Sequence, residues 1–61
     1  MKRFTVLIWE WSKELYKRDL DFETEELARH YALGMFDGMR HVGIQATGYE
    51  VTEVGLVKDL N

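Results

Sequence analysis

The sequence predicts an α+β fold, a three-stranded antiparallel sheet in the order 2-1-3 with one helix packed on one face, connected β-β-α-β. Three observations predict it. The opening stretch Lys2 to Trp11 reads K-R-F-T-V-L-I-W-E-W and alternates as a strand must, with Phe4, Val6 and Ile8 on one side and Leu7, Trp9 and Trp11 on the other. A central segment carries Leu27, Ala28, Tyr31, Ala32, Met35, Phe36 and Met39 at the i, i+3, i+4, i+7 spacing of an amphipathic helix. A segment from Tyr49 to about Val57 is rich in Val and Thr, as strands are.

The first strand is expected to end near Trp11, with Ser12, Lys13 and Glu14 as a turn and Leu15 to Phe22 as the second strand. In that second strand Tyr16, Leu20 and Phe22 share a face, with Arg18 between them. Thr24 offers a hydroxyl N-cap, and Glu25 and Glu26 suit the positive end of a helix dipole. The helix should run from Glu25 to about His41, with Gly43 as its stop. Gly34 and Gly38 lie inside it, each costing about 1 kcal/mol relative to Ala, and are read as letting the helix approach the sheet closely. Gly55 suggests a bulge in the third strand. Ile44 to Gly48 is the connection, and Lys58 to Asn61 a frayed end. A short turn makes the first two strands a hairpin, and the helix returns the chain so that strand three lies antiparallel beside strand one. The central strand should be the most apolar, and strand one is.

Hairpin register decides which face meets the helix, because a one-residue slip flips every side chain. A three-residue turn places Trp11 opposite Leu15 and Val6 opposite Leu20. The helix-facing core is then Phe4, Val6, Ile8, Tyr16, Leu20 and Phe22, and Leu7, Trp9 and Trp11 share the outer face with Leu15, Lys17 and Asp19. A two-residue turn would exchange the two sets on strand one. The first register is preferred because it leaves strand two amphipathic with its charges outward. In both, at least three large side chains remain on the face without the helix.

The 61 residues are read as one domain, 1–61, and a chain this short buries only about 60% of its unfolded surface. With 46% hydrophobic and 13% aromatic residues it is not disordered in composition. It has no Cys, hence neither a disulfide framework nor a thiolate metal site. No run of about 18 apolar residues and no cleavable leader pattern is present, so a soluble, cytoplasmic protein without membrane attachment is expected. The net charge is −3. It is polarised, positive over residues 1–18 and concentrated as acid in Asp19, Asp21, Glu23, Glu25 and Glu26. A sequence pI near 5.2 argues against direct nucleic-acid binding.

The candidate binding residues are the outer-face Leu7, Trp9 and Trp11, together with the acidic run Asp19, Asp21, Glu23, Glu25 and Glu26. Tryptophan is enriched at interface hot spots, and contiguous apolar patches mark contact sites. The same face could instead be consumed in a homodimer, enlarging the core of a marginal domain. The carboxylates are first of all a solvated strand face and a helix start, and secondly a row that a basic groove on a partner would engage. Catalysis has little support. Asp37 and His41 are i, i+4 neighbours, but His30 lies about 10 Å up the helix axis from Asp37, too far to complete a metal site. Ser12 is the only Ser and stands in a turn, and no phosphate-binding glycine loop is present. No metal, cofactor or catalytic residue is assigned.

Lys2-Arg3-Phe4 opening strand one, Thr24 to Ala28 opening the helix, and Gly48-Tyr49-Glu50-Val51-Thr52-Glu53-Val54 in strand three carry a resemblance. In these positions and in element order the chain resembles the small inhibitor of bacterial RNA polymerase made by T7-type bacteriophages. That resemblance implies a non-enzymatic, phage-type protein that acts in the host cytoplasm by binding a host or defence protein. The family engages polymerase partly through arginines in and just after its third strand. Glu53 and Gly55 stand at the matching positions here, so those contacts are not implied.

Overall fold

The structure is a computed structural model and describes residues 1–56. Its elements are β1 (Lys2–Glu10), β2 (Lys13–Phe22), α1 (Glu25–His41) and β3 (Gly48–Leu56). The sheet has the order β2-β1-β3 with both pairings antiparallel. Strand β1 is central, and its helix-facing residues Phe4, Val6 and Ile8 are fully buried. Ala28 and Ala32 of α1 close over them, joined by Ala46 from the loop before β3. Small residues on the helix and large ones on the strand let the two layers interdigitate.

Both strands of the hairpin differ from expectation at the turn. The turn is Trp11-Ser12, with Glu10 opposite Lys13, so β1 ends one residue and β2 begins two residues earlier than the polar triplet suggested. Val6 pairs with Arg18 and Phe4 with Leu20, in place of Val6 with Leu20. Two-residue turns match the right-handed twist of the flanking strands, which favours them over longer ones. A two-residue turn alone would have exchanged the faces of β1. It does not, because the register shifts between Ile8 and Trp9: Ile8 pairs with Tyr16 and Trp9 with Glu14, leaving Leu15 as an extra residue in β2. The bulge restores the alternation, and Phe4, Val6, Ile8, Tyr16, Leu20 and Phe22 share the helix side as expected.

The helix boundaries agree with the reading of the sequence. Thr24 is extended, and its Oγ1 accepts from the Leu27 amide at 3.2 Å. At the other end the Ile44 amide donates to the Met39 carbonyl at 2.8 Å and the Gly43 amide to Arg40 at 3.2 Å. With φ +94 at Gly43, this is a Schellman stop, and glycine meets its left-handed requirement without a Cβ clash. The bulge expected at Gly55 is present: Arg3 pairs with Gly55 and Phe4 with Glu53, so Val54 is the extra residue, and Gly55 has φ +137. The expected Val57 end of β3 and the Lys58–Asn61 tail lie outside the described residues.

Three aromatic contacts set the helix rotation. The Tyr31 ring sits 5.5 Å from Phe22 of β2, which sits 6.1 Å from Phe4. On the other flank the Phe36 ring sits 5.1 Å from Tyr49 of β3. The helix lies mainly over β1 and β3, and the gap toward β2 is bridged by a 2.8 Å hydrogen bond between the Tyr16 and Tyr31 hydroxyls. Arg18, on the helix side of β2, stays exposed for the same reason. Leu27, expected inward, is 47% exposed on the β2 flank. Gly34 and Gly38 do not face the sheet as expected. Both are exposed, and a Cβ added at either meets nothing within 4 Å. The close approach is made by Ala28 and Ala32, which lie on the side turned to β1.

Gly34→Ala and Gly38→Ala therefore relieve a helix-entropy cost without a steric one, and each should stabilise the fold by about 1 kcal/mol, read as a rise in urea midpoint at constant slope. A second expectation concerns Tyr31. Its hydrogen bond to Tyr16, then partial burial and the nearby Tyr16 charge, raise its ionisation above the ordinary tyrosine value, with Arg18 pulling weakly the other way. A raised folded-state pKa means the contribution is complete below about pH 10 and is lost as pH rises through the folded value. Ultraviolet titration of tyrosinate should show one late-titrating tyrosine that disappears in Tyr31→Phe, along with part of the loss of stability in alkali.

Candidate functional site

The face of the sheet away from the helix is built from alternate residues of β1, namely Arg3, Thr5, Leu7 and Trp9. Their neighbours on β2 include Asp21, Asp19 and Lys17, and on β3 Gly55, Thr52, Glu50 and Gly48. It was expected to be an oily surface containing three large side chains. Only Leu7 and Trp9 lie in it, and both are half-buried. Leu7 is flanked by Lys17 and Glu50, whose stems can cover it. Trp9 is paired with Gly48 and its indole lies against that glycine: an added Cβ there would come within 2.6 Å of Trp9 Cε2 and 2.8 Å of Nε1. The absent side chain at position 48 is what seats the ring.

Trp11 is not in the face. It occupies the first turn position with φ +53, the positive-φ position of a type II′ hairpin turn, where glycine is favoured. Its side chain is 77% exposed. The turn is held from outside by Thr47, whose Oγ1 accepts from the Trp11 amide at 2.7 Å while its own amide donates to the Trp9 carbonyl at 2.8 Å. The backbone at Trp11 is thus tied to the β3 side of the molecule, and its indole is left free.

The acidic run divides into engaged and unengaged groups. Asp21 accepts from Arg3 Nε at 2.9 Å and Nη2 at 3.4 Å. That hydrogen bond, more than the accompanying charge attraction, lowers the Asp21 pKa and raises that of Arg3. Asp19 accepts from Thr5 Oγ1 at 2.7 Å, and Glu25 from Arg29 at 2.6 and 2.9 Å. Glu23 and Glu26 are exposed and form no ion pair among the described residues. Strand β2 separates this cluster from Trp11 by its full length, roughly 30 Å at strand rise. The structure therefore does not gather the eight candidate residues into one patch. It puts Trp9 and Trp11 at one end, Leu7 in the middle, and the carboxylates at the other end.

The surroundings of Trp11 are built by a loop distant from it in sequence. The loop after the helix lines a groove of about 440 Å³ with Arg40, Gly43, Ile44, Gln45, Ala46 and Thr47. Val42 and Ile44 are exposed at this end. The available signal was the apolar Val42 and Ile44 bracketing a helix-stopping glycine, a place where chains usually turn polar. His30, Asp37 and His41 are all exposed on the helix. Among the described residues no three His, Cys, Asp or Glu side chains converge on a point that would hold a metal ion, and no helix is long and apolar enough to cross a membrane.

Comparison with protein-family models, curated proteins and solved structures finds no match to this chain.

The contact of Trp9 with Gly48 makes a direct expectation. Gly48→Ala must expel the indole, because the added methyl meets rigid ring atoms. The variant should lose about 1–3 kcal/mol, and its tryptophan emission should shift to the red as Trp9 enters water. Unchanged emission with unchanged stability would contradict the packing described.

Proposed function

We propose that the protein is a small, non-enzymatic protein-binding module, of the kind a phage uses to occupy a host or defence protein, with Trp11 as its anchor. One observation carries this reading. A left-handed backbone conformation costs a residue with a Cβ about 1–2 kcal/mol, and at Trp11 the fold recovers little of it, since the side chain is 77% exposed. Glycine would serve the turn better. A large indole held out at that cost fits a contact made with something else, and Trp is the residue type most enriched among interface hot spots.

The rest of the surface suits the same reading. Trp11 is tied through Thr47 to a groove with an apolar and a basic wall, Ile44 and Arg40. The partner this fits is a folded protein with an apolar pocket for the indole and a carboxylate for Arg40. A basic surface about 30 Å away would face Glu23 and Glu26, steering approach and making association salt-sensitive. Leu7 lies half-buried between the two ends. A homodimer closed over Leu7, Trp9 and Trp11 has less support, because Trp9 is already seated on Gly48 and Trp11 stands off the sheet.

Trp11→Gly separates folding from binding. It should raise fold stability by about 1 kcal/mol while weakening partner binding by about 30-fold or more, the scale of one tryptophan hot spot. Trp11→Phe should keep most of the binding. The measurement is urea unfolding alongside quantitative capture from bacterial lysate, followed by titration of the captured species. A captured protein that binds wild type and Trp11→Gly equally would overturn the assignment.

A further inference from the structure

The two edges of the sheet are defended very differently. Strand β2 carries Lys13, Glu14, Lys17, Arg18, Asp19 and Asp21 along its exposed edge, and charged side chains are the usual guard against edge-to-edge pairing. Strand β3 carries only Glu50 and Glu53, has Val54 59% exposed, and contains no Lys or Pro. Its straight part runs from Gly48 to the bulge at Val54–Gly55 and pairs on one side with β1.

We propose that β3 pairs antiparallel with β3 of a second copy, about a two-fold axis at Val51. The six strands then form one continuous sheet with both helices on the same side. Three features select this occupant and this register. First, it sets the regular segment against itself and stops short of the bulge at Val54: Val51 meets Val51, Glu50 meets Thr52, and Tyr49 meets Glu53. Like charges never stand opposite. Centring on Glu50 or Glu53 would set each glutamate against its own copy, and centring on Thr52 would run the pairing into the bulge. A half-step between these would pair helix-side residues with outer-face ones, which the two-fold forbids.

Second, the helices arrive at packing distance. Because α1 lies over β1 and β3, its axis stands about 5 Å from the new seam, given a strand spacing of about 4.8 Å. The two helix axes then lie about 10 Å apart, within the range at which helices pack.

Third, the helix flank that would meet its copy is complementary to itself. Tyr31 contacts β2 and Phe36 contacts β3, so Leu33, about 60° round from Phe36 at roughly 100° per residue, faces outward on the β3 flank. It is 41% exposed. The Phe36 ring contacts Tyr49, and three residues of helix rise, about 4.5 Å, carry Leu33 most of the way toward the level of Val51, two strand residues or about 7 Å along. The same axis therefore brings the two Leu33 side chains to within about 5 Å of one level. It also sets Arg29 near the level of the second copy's Asp37, and Arg40 near that of its Glu26, so opposite charges face each other across the seam.

This surface is distinct from the tryptophan end, so the two readings are tested separately. Sedimentation velocity of the intact protein over a broad concentration range should show the mass rising from one chain of 7.2 kDa to two. Thr52→Glu, on the exposed outer face, places a carboxylate opposite Glu50 twice by symmetry and should raise the dimer dissociation constant roughly tenfold. The charge swap Glu50→Lys with Thr52→Glu should restore it, showing that the loss is one of pairing rather than of folding. Trp11→Gly should leave dimerisation unchanged. A single-chain mass at every concentration overturns the proposal, as does a dimer indifferent to Thr52→Glu or one abolished by Trp11→Gly.

Discussion

The packing of Phe4, Val6 and Ile8 under Ala28 and Ala32 is the constraint on which the rest depends. These five side chains are fully buried. At about 25 cal/mol per Å² of apolar surface, they supply much of the driving force available to a chain this short. The pairing of large residues on β1 with small ones on α1 sets how close the helix sits. Every peripheral contact adapts to that distance. Tyr31 and Tyr16 reach across the side where the helix does not cover β2, and Phe36 and Tyr49 close the other.

One bulge keeps this core in phase. The hairpin turn is one residue shorter than the local sequence suggested, and it would have turned Phe4, Val6 and Ile8 to solvent had Leu15 not been squeezed out of the ladder. The cost of exposing three large core residues far exceeds that of one irregular pair, so the core dictates the bulge. At the other end the bulge at Val54 and Gly55 lies beyond the last core pair, Phe4 with Glu53, ending the straight run of β3 and leaving Gly48 to Glu53 as its regular portion.

The outer face shows how a sheet with one helix manages its second side. The imbalance of two apolar sides to one helix is real in the sequence but smaller in space. Leu7 lies between a lysine and a glutamate, Trp9 lies against a glycine, and Arg3, Thr5, Asp19 and Asp21 form a hydrogen-bonded strip. The residue that gains no shelter is Trp11, in a backbone conformation it does not favour. Strain and exposure at one residue are more informative than exposure of an apolar face, because ordinary surfaces contain many exposed apolar atoms and few bulky residues at positive φ.

Alternation, helical periodicity and capping chemistry were enough to establish the element order, the Thr24 cap, the Gly43 stop and the core set on β1, because these patterns are local in the chain, and the 2-1-3 sheet followed from a short hairpin and a helix that returns the chain beside its most apolar strand. The division of Leu7, Trp9 and Trp11 between a sheet face and a turn was not legible, and neither was the separation of the tryptophans from the carboxylates. Those depended on the hairpin register, which local turn residues left open between two lengths and which burial of the core decided together with the Leu15 bulge. The seat of Trp9 on Gly48 and the tie from Thr47 to Trp11 were likewise invisible, since they join residues nearly forty positions apart. Only the folded sheet brings them into contact.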